Sequence, residues 1–267
     1  MAFNWSKIDS GSMRGRLLRI PLRLLPPASI MKIRRGPARG LRWIAGSANH
    51  GCWLGTYELD KQAAIARFIR PGMTVYDVGA QAGFYTLTFS RLVGGNGRVI
   101  AFEPCPNEAR HLLDHVRMNA LANVTVIEAA VSDRAGLAGF SFDRPRTENA
   151  LCETAGAQLQ VPTVTLDHVC AGMPAPDLVK IDVEGAEAAV LAGGSQTLRR
   201  FRPALFVALH NAEQRRLCEL RLREAGYAIN YLDGRAVVGN ITADEIYATM
   251  SGRSEILDAA PLDTAFK

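Results

Sequence analysis

Val75-Tyr76-Asp77-Val78-Gly79-Ala80-Gln81-Ala82-Gly83, answered by Val99-Ile100-Ala101-Phe102-Glu103, is the stretch that decides the fold of this chain. Apolar, β-branched residues run into an acid, and a glycine turn leads into a helix-like segment. A second apolar strand then ends on another acid. Such an order is the opening β-α-β of a cofactor-binding α/β fold, in which the ligand lies beyond the carboxyl ends of parallel strands.

The same alternation continues outward from this core. Upstream, Glu58–Ile69 carries apolar residues at helical spacing and is stopped by Pro71-Gly72. Downstream, the pattern predicts helices over 83–93 and 106–120, and strands at 74–78, 98–103 and Val124–Ala130. Leu137–Phe142, Gln160–Thr165, Leu178–Val183 and Ala204–Leu209 also read as strands, with a helix over 212–225. Tyr227–Leu232 and Ala236–Val238 flank Asp233-Gly234 and suggest a closing antiparallel hairpin. The expectation is a doubly wound, mostly parallel α/β sheet. Its domain is expected over 53–245, between a basic extension at 1–52 and a tail at 246–267.

Charge is divided unevenly along the 267 residues. Residues 1–43 hold ten Lys and Arg against the single acid Asp9, a net +9, which leaves 21 basic and 25 acidic residues, a net −4, for the rest. The basic lead admits three readings: a solvated or acceptor-covering segment, contact with an anionic membrane surface, or an organelle transit peptide. No aromatic-interleaved basic platform accompanies it, so nucleic acid is not expected as a partner. Five scattered cysteines without Cys-x-x-Cys spacing point away from a disulfide framework and towards a reducing compartment. No run of ~18 apolar residues marks a spanning helix. A cytoplasmic protein follows, with residues 1–43 able to rest on the inner membrane surface.

The turn itself favours one cofactor chemistry. A dinucleotide turn has Gly-x-Gly-x-x-Gly, because backbone amides must approach a pyrophosphate at a helix N-terminus. Here the spacing is Gly79-x-x-x-Gly83, with Asp77 two residues before the first glycine. An acid there suits a ligand with no phosphate and a cationic end, as in S-adenosylmethionine (SAM). In this reading Asp77 assists the cationic methionine end, and Gly79, Ala80 and Gly83 let the backbone come close. Glu103 grips the ribose hydroxyls.

Several further blocks stand in order: Trp53-Leu54-Gly55-Thr56-Tyr57-Glu58, Gly83-Phe84-Tyr85-Thr86, Ala101-Phe102-Glu103-Pro104, Asn123-Val124, Ala130-Val131-Ser132-Asp133, Val164-Thr165-Leu166-Asp167 and Pro176 to Glu187. With these, the chain resembles the FkbM family of SAM-dependent methyltransferases from about Trp53 to Tyr227. The resemblance implies a Rossmann-like sheet of seven strands. It also implies O-methyl transfer to hydroxyls of saccharide, glycolipid or polyketide-type acceptors. Two departures stand out: Gln81 where members usually have Asn, and Ala208 where many carry a glutamate. The second leaves room for a SAM-fold protein without transfer activity, acting as a membrane-surface or complex partner.

Transfer to a hydroxyl needs an aligned acceptor and a positioned base. Strand ends place Asp182, Glu184 and His210 as the candidate acceptor-facing groups. Lys180 alternates with Asp182 and is expected to pair with a nearby acid. Asp182 with Asn211 imitates part of an oxygen-rich Mg²⁺ site, but His210 stands where a second acid would help, and no metal is assigned.

Overall fold

The computed structural model describes residues 25–141, 150–152 and 157–250. Of the basic lead, Lys7, Arg14, Arg16, Arg19 and Arg23 lie outside the described residues, as do 251–267 of the expected tail and part of the polar stretch after Ser141.

Two short strands open the described chain, β1 (Ile30–Lys32) and β2 (Arg42–Ile44), followed by the helices α1 (Gly51–Leu54) and α2 (Leu59–Phe68). Then come β3 (Thr74–Val78), α3 (Phe84–Val93), β4 (Arg98–Phe102), α4 (Pro106–Met118) and β5 (Val124–Ile127). The middle holds β6 (Ala130–Val131), β7 (Gly136–Ser141), β8 (Ala150–Cys152), β9 (Leu159–Val164) and α5 (Leu166–Gly172). The last part runs β10 (Leu178–Ile181), α6 (Glu187–Gly193), α7 (Ser195–Phe201), β11 (Ala204–Ala208), α8 (Ala212–Glu224), β12 (Tyr227–Tyr231) and β13 (Glu245–Met250).

Seven strands form one sheet in the order β12-β13-β11-β10-β3-β4-β5. Neighbours from β11 to β5 pair in parallel, and β13 runs antiparallel to both β11 and β12. Strand order reverses between β3 and β10, which is where an open α/β sheet offers its crevice. Both faces are covered, so the central strands β3 and β10 are apolar except for Thr74 and Asp77 of β3 and Lys180 of β10. Val75, Val99, Leu178 and Phe206 pack on the α2 and α3 side, whereas Tyr76, Ile100, Val179 and Leu205 pack on the other. The period of two then places Asp77 and Lys180 on the face that α2 and α3 cover.

Three expectations need correction. The run Val124–Ala130 is not one strand: it leaves the sheet at Ile127, and Ala130 starts β6 of a separate four-stranded sheet, β6-β9-β7-β8. The closing hairpin is reduced to a single bridge, Asn230 to Ala236, and the true partner of β12 is β13. On its other edge β12 keeps only a short contact, Val237 N donating to the Ile229 carbonyl at 2.9 Å before Val238 turns out to solvent, whereas Ile246, Tyr247 and Ala248 of β13 are buried between β12 and β11. The sheet therefore runs to Met250, past the expected boundary at 245. Third, the described part of the lead belongs to the body. Ile33, Trp43 and Ala45 are buried in the same cluster as α2 and α3 residues, while Lys32, Arg34, Arg39 and Arg42 stay exposed. Among the described residues no helix is long and apolar enough to cross a membrane.

His115 of α4 pins this lead to the cofactor-type turn. Its Nε2 accepts from Ile44 N at 2.9 Å, its Nδ1 lies 2.7 Å from the Ala82 carbonyl, and its ring stacks on Trp43 at 4.0 Å. An acceptor role at Nε2 makes the ring neutral, with its proton on Nδ1. Burial drives the imidazole pKa down to about 4, against the opposing bond to Ala82. The unfolded chain therefore binds the proton first as pH falls. The stabilisation is complete above pH 6.5 and lost on the way to pH 4, on the order of 3 kcal/mol for this group. Urea unfolding at pH 7.5 and pH 4.5 is expected to show that loss in the wild-type chain. His115→Gln should start less stable at pH 7.5 and lose correspondingly less on acidification.

Candidate active site

The turn after β3 is fixed by close approach. Gly79 has φ +76°, and a Cβ there would collide with the carbonyl oxygen of Asp182. The turns following β3 and β10 therefore touch, and only glycine fits between them. Gln81 follows at φ +48°, a region in which Asn is enriched among non-glycine residues. Its amide donates to Glu103 Oε2 at 2.7 Å, and Glu103 Oε1 accepts from Cys105 N at 2.8 Å. Burial raises the Glu103 carboxyl to about 7, against the pull of those two amides. Each carboxylate oxygen keeps a further lone pair for a ligand hydroxyl.

Two cavities meet over this turn. One is walled by Glu103, Ala129, Ala130, Val131 and Phe140, with an apolar floor beside a carboxylate. The other is walled by Trp43, Ser47, Tyr57, Ala80 and Tyr85. Gly79, Gln81, Glu108 and Asp182 line both. The first suits a purine and its ribose, and the pair suits SAM. Two expected cofactor residues are placed differently from the sequence reading. Asp77 is fully buried and lines neither cavity; its Oδ2 accepts from Thr86 Oγ1 at 2.6 Å. Gly83 turns its open side to Leu112 of α4, so it serves helix packing instead of a ligand.

Asp77 acts on the turn through Lys180. The buried ammonium stands 3.2 Å from Asp77 Oδ1 and donates to the Gly79 carbonyl at 2.9 Å. A second buried ammonium, Lys61 of α2, donates to Asp182 Oδ2 at 3.2 Å and Glu245 Oε1 at 2.7 Å, and lies 3.4 Å from Glu58 Oε2. Both ammoniums lie 5.5 Å from the Tyr85 ring centroid, within cation–π range. Burial alone would raise the Asp182 carboxyl, but Lys61 and Lys180, with His210, hold it down at about 2.

The structure brings Asp182, Glu184 and His210 together. His210 Nε2 lies 3.1 Å from Glu184 Oε2 and 3.5 Å from Asp182 Oδ1, while Nδ1 lies 2.6 Å from the fully buried Glu187. With a carboxylate at each ring nitrogen, the doubly protonated imidazolium is favoured. Burial would lower its pKa, but hydrogen bonds to Glu184 and Glu187 raise it to about 10. Ligand-type atoms of Asp182, Glu184 and His210 lie within 4.8 Å of one another. Asn211 does not join them, because its side chain caps α8 by accepting from Gln214 N.

Four contributors escape the sequence reading: Lys61, Tyr85 and Glu187 in these roles, and Glu245, which stands there only at the end of the expected domain. Glu245 faces Ala208 directly across the β11–β13 pair. Side chains so placed share a face of the sheet. A carboxylate is therefore present beside Ala208 after all, delivered from the adjacent strand.

The chain is similar to several known proteins. The family model for the methyltransferase FkbM domain matches residues 77–232. The 2-O-methyltransferase NoeI of Sinorhizobium fredii is 30% identical over 155 residues, covering 50% of this chain and 62% of that protein. The 31-O-demethyl-FK506 methyltransferase FkbM of Streptomyces tacrolimicus is 31% identical over 159 residues, covering 47% and 60%. The chain thus spans less than two thirds of the length of either relative. A crystal structure of methyltransferase FkbM from Methylobacillus flagellatus aligns at TM-score 0.48 and 16% identity, covering 75% of this chain and 53% of that one.

The His210 cage gives a direct test. A group whose pKa is raised on folding stabilises the fold fully below its unfolded value near 6.5 and loses that effect as pH climbs towards 10. The ring resonances of His210 in an NMR titration are expected to stay at their protonated position from pH 5 to pH 8.5. Glu187→Gln should bring the transition back into that interval.

Proposed function

This chain belongs to the FkbM methyltransferase family, and on that premise we propose that it moves a methyl group from SAM to a hydroxyl of a saccharide, glycolipid or polyketide-type acceptor. The observation that supports the reading is the pair of joined cavities at the β3 and β10 ends, with Glu103 and Glu184 in one, Asp182 in both, and His210 against the last two acids. Bound SAM would supply an electrophilic methyl on its sulfonium. Everything else is the work of this chain's side chains and backbone.

Glu103 accepts the ribose hydroxyls on the lone pairs that Gln81 N and Cys105 N leave open. Phe140 and Val131 supply the apolar wall for the base. Asp182 lines both cavities and stays ionised between Lys61 and Lys180, so it stabilises positive charge at the junction. That same ionisation makes it a weak base. His210, already protonated, is no base either, and it holds Glu184 by one oxygen. Glu184 is thus the group to take the proton of the acceptor hydroxyl as the new C–O bond forms. Glu245 and Lys61 close the acceptor side of the site, where Ala208 offers no polar group. That carboxylate removes the main reason for an inactive fold.

NoeI is a 2-O-methyltransferase and FkbM a 31-O-demethyl-FK506 methyltransferase, which supports oxygen as the methylated atom. The exposed bases Lys32, Arg34, Arg39 and Arg42 on the lead would suit an acceptor held at an anionic membrane surface. Each is worth roughly 1 kcal/mol there.

Calorimetry tests the cofactor half. S-adenosylhomocysteine (SAH) should bind the wild-type chain at pH 8 and bind more weakly as pH falls below 7, where Glu103 takes up a proton. Glu103→Ala should weaken it strongly at every pH. Absence of binding by the intact wild-type chain would refute the reading. Transfer of labelled methyl to a panel of glycosides and polyketide alcohols tests the second half. Glu184→Gln is expected to slow it by about 10²–10⁴-fold, the usual worth of a general base, with SAH affinity unchanged.

A further inference from the structure

From Ser10 to Tyr57 the chain has no acidic residue, and the described part of that stretch holds Lys32, Arg34, Arg35, Arg39 and Arg42. β1 and β2 pair antiparallel, with Ile30 opposite Ile44, Met31 opposite Trp43 and Lys32 opposite Arg42. Alternation gives the pair two faces. Met31 and Trp43 pack inward on the core cluster, so Ile30, Lys32, Arg42 and Ile44 share the outer face. Both main-chain groups of Arg42 are taken by the Asn119 side chain of α4, at 2.7 and 2.9 Å. Lys32 and Arg42 are therefore a non-hydrogen-bonded pair, the kind whose side chains lie closer. Both are exposed, and like charges so placed repel. On the same face Ile30 is 60% exposed, and Pro26, Pro27 and Ala28 just before it are exposed too. Asn119 and His115 fasten β2 to α4, so a rigid platform carries this face.

We propose that the outer face of the β1–β2 pair docks on an anionic phospholipid bilayer, with Lys32 and Arg42 at the headgroups and Ile30 entering between them. The inference deepens the acceptor reading above and rests on it for its purpose, although lipid binding itself needs no cofactor. An array of lipid phosphates relieves the repulsion between Lys32 and Arg42, and the bilayer takes up exposed apolar surface at the same place. A dissolved anion offers the first without the second. The two indoles of this stretch, Trp43 and Trp53, are buried, so it presents neither of them for stacking on a single-stranded nucleic acid. Lys7, Arg14, Arg16, Arg19 and Arg23, earlier in the chain, add charge of the same sign. β2 leads directly into Gly46, Ser47, Ala48 and Asn49, which line the second cavity. Docking thus sets the cavity wall a few residues from the bilayer, and the acceptor class it favours is a saccharide carried on a membrane lipid.

Co-sedimentation of the full chain with vesicles tests the docking face. The chain should pellet with vesicles of phosphatidylcholine containing phosphatidylglycerol, stay in solution with phosphatidylcholine alone, and be released by high salt. Each base near such a surface is worth about a fivefold change in partitioning. Lys32→Glu changes two charges and should weaken partitioning about 25-fold. It also sets opposite charges across the strand pair, so thermal stability should hold or rise. Ile30→Ser should weaken partitioning severalfold at every salt concentration, and both variants should bind SAH as the wild-type chain does. Equal partitioning of the wild-type chain and Lys32→Glu would overturn the docking face. So would equal pelleting with neutral vesicles, or capture of a single-stranded RNA by a chain that ignores vesicles. A wild-type chain that pellets as expected but binds no SAH would overturn the cofactor reading and leave the docking face standing.

Discussion

The buried ammonium of Lys180 is the interaction on which the rest of the site depends. From the middle of the sheet it holds Asp77 on β3 and the carbonyl of Gly79 in the turn, and it approaches Asp182 beyond β10 at 3.7 Å. Three chain segments at the switch point thus share one positive charge. Removing an ion pair from water costs several kcal/mol per ion, and only close pairing with satisfied hydrogen bonds offsets it. Lys180 meets that condition with two acids and a carbonyl. The desolvation penalty lowers its pKa, and Asp77 and Asp182 overcome it, so the net direction is up. A charge kept in place this way orients a turn better than an apolar side chain of the same volume, because its partners are fixed in direction.

Strain is concentrated around that charge. Five non-glycine residues among those described have positive φ, and three of them, Glu58, Gln81 and Glu184, belong to the site. Each left-handed residue of this kind costs of order 1–3 kcal/mol and persists only where its surroundings over-determine it. The determinants are visible here. Glu58 accepts from Tyr85 Oη, the Gln81 amide is held by Glu103, and Glu184 is held by His210. The polar network and the strained backbone are therefore one device: the hydrogen bonds that shape the ligand-facing groups also hold the unfavourable dihedrals.

Much of this was legible in the linear sequence, for reasons that differ by residue. The central strands β3, β4, β10 and β11 could be read because burial on both faces makes them mostly apolar runs, and Glu103 because an acid ends such a run. Pairings between distant segments were not legible. Nothing local tells Glu245–Met250 that it belongs between β12 and β11, and the Asp233-Gly234 turn pointed to a nearer partner. Trp43 sits in a stretch whose dominant signal is charge, and its burial depends on His115, 72 positions away. Asp77 shows the subtler failure. Its position signals a cofactor turn correctly, yet its carboxylate works on Lys180 and not on the ligand, a distinction that depends on which way the pleat faces.

Ala208 carries this point furthest. Read along the chain, it is a missing carboxylate at a strand end and an argument against catalysis. Read across the sheet, it is one half of a cross-strand pair whose other half, Glu245, bears the acid. Antiparallel neighbours directly opposite hold their Cβ atoms roughly 5 Å apart, so a carboxylate can move one strand over and still reach the same ammonium, Lys61. What the site requires is a charge at a place, and the sheet provides two backbones from which to put it there. A residue-by-residue comparison along one strand registers that exchange as a loss.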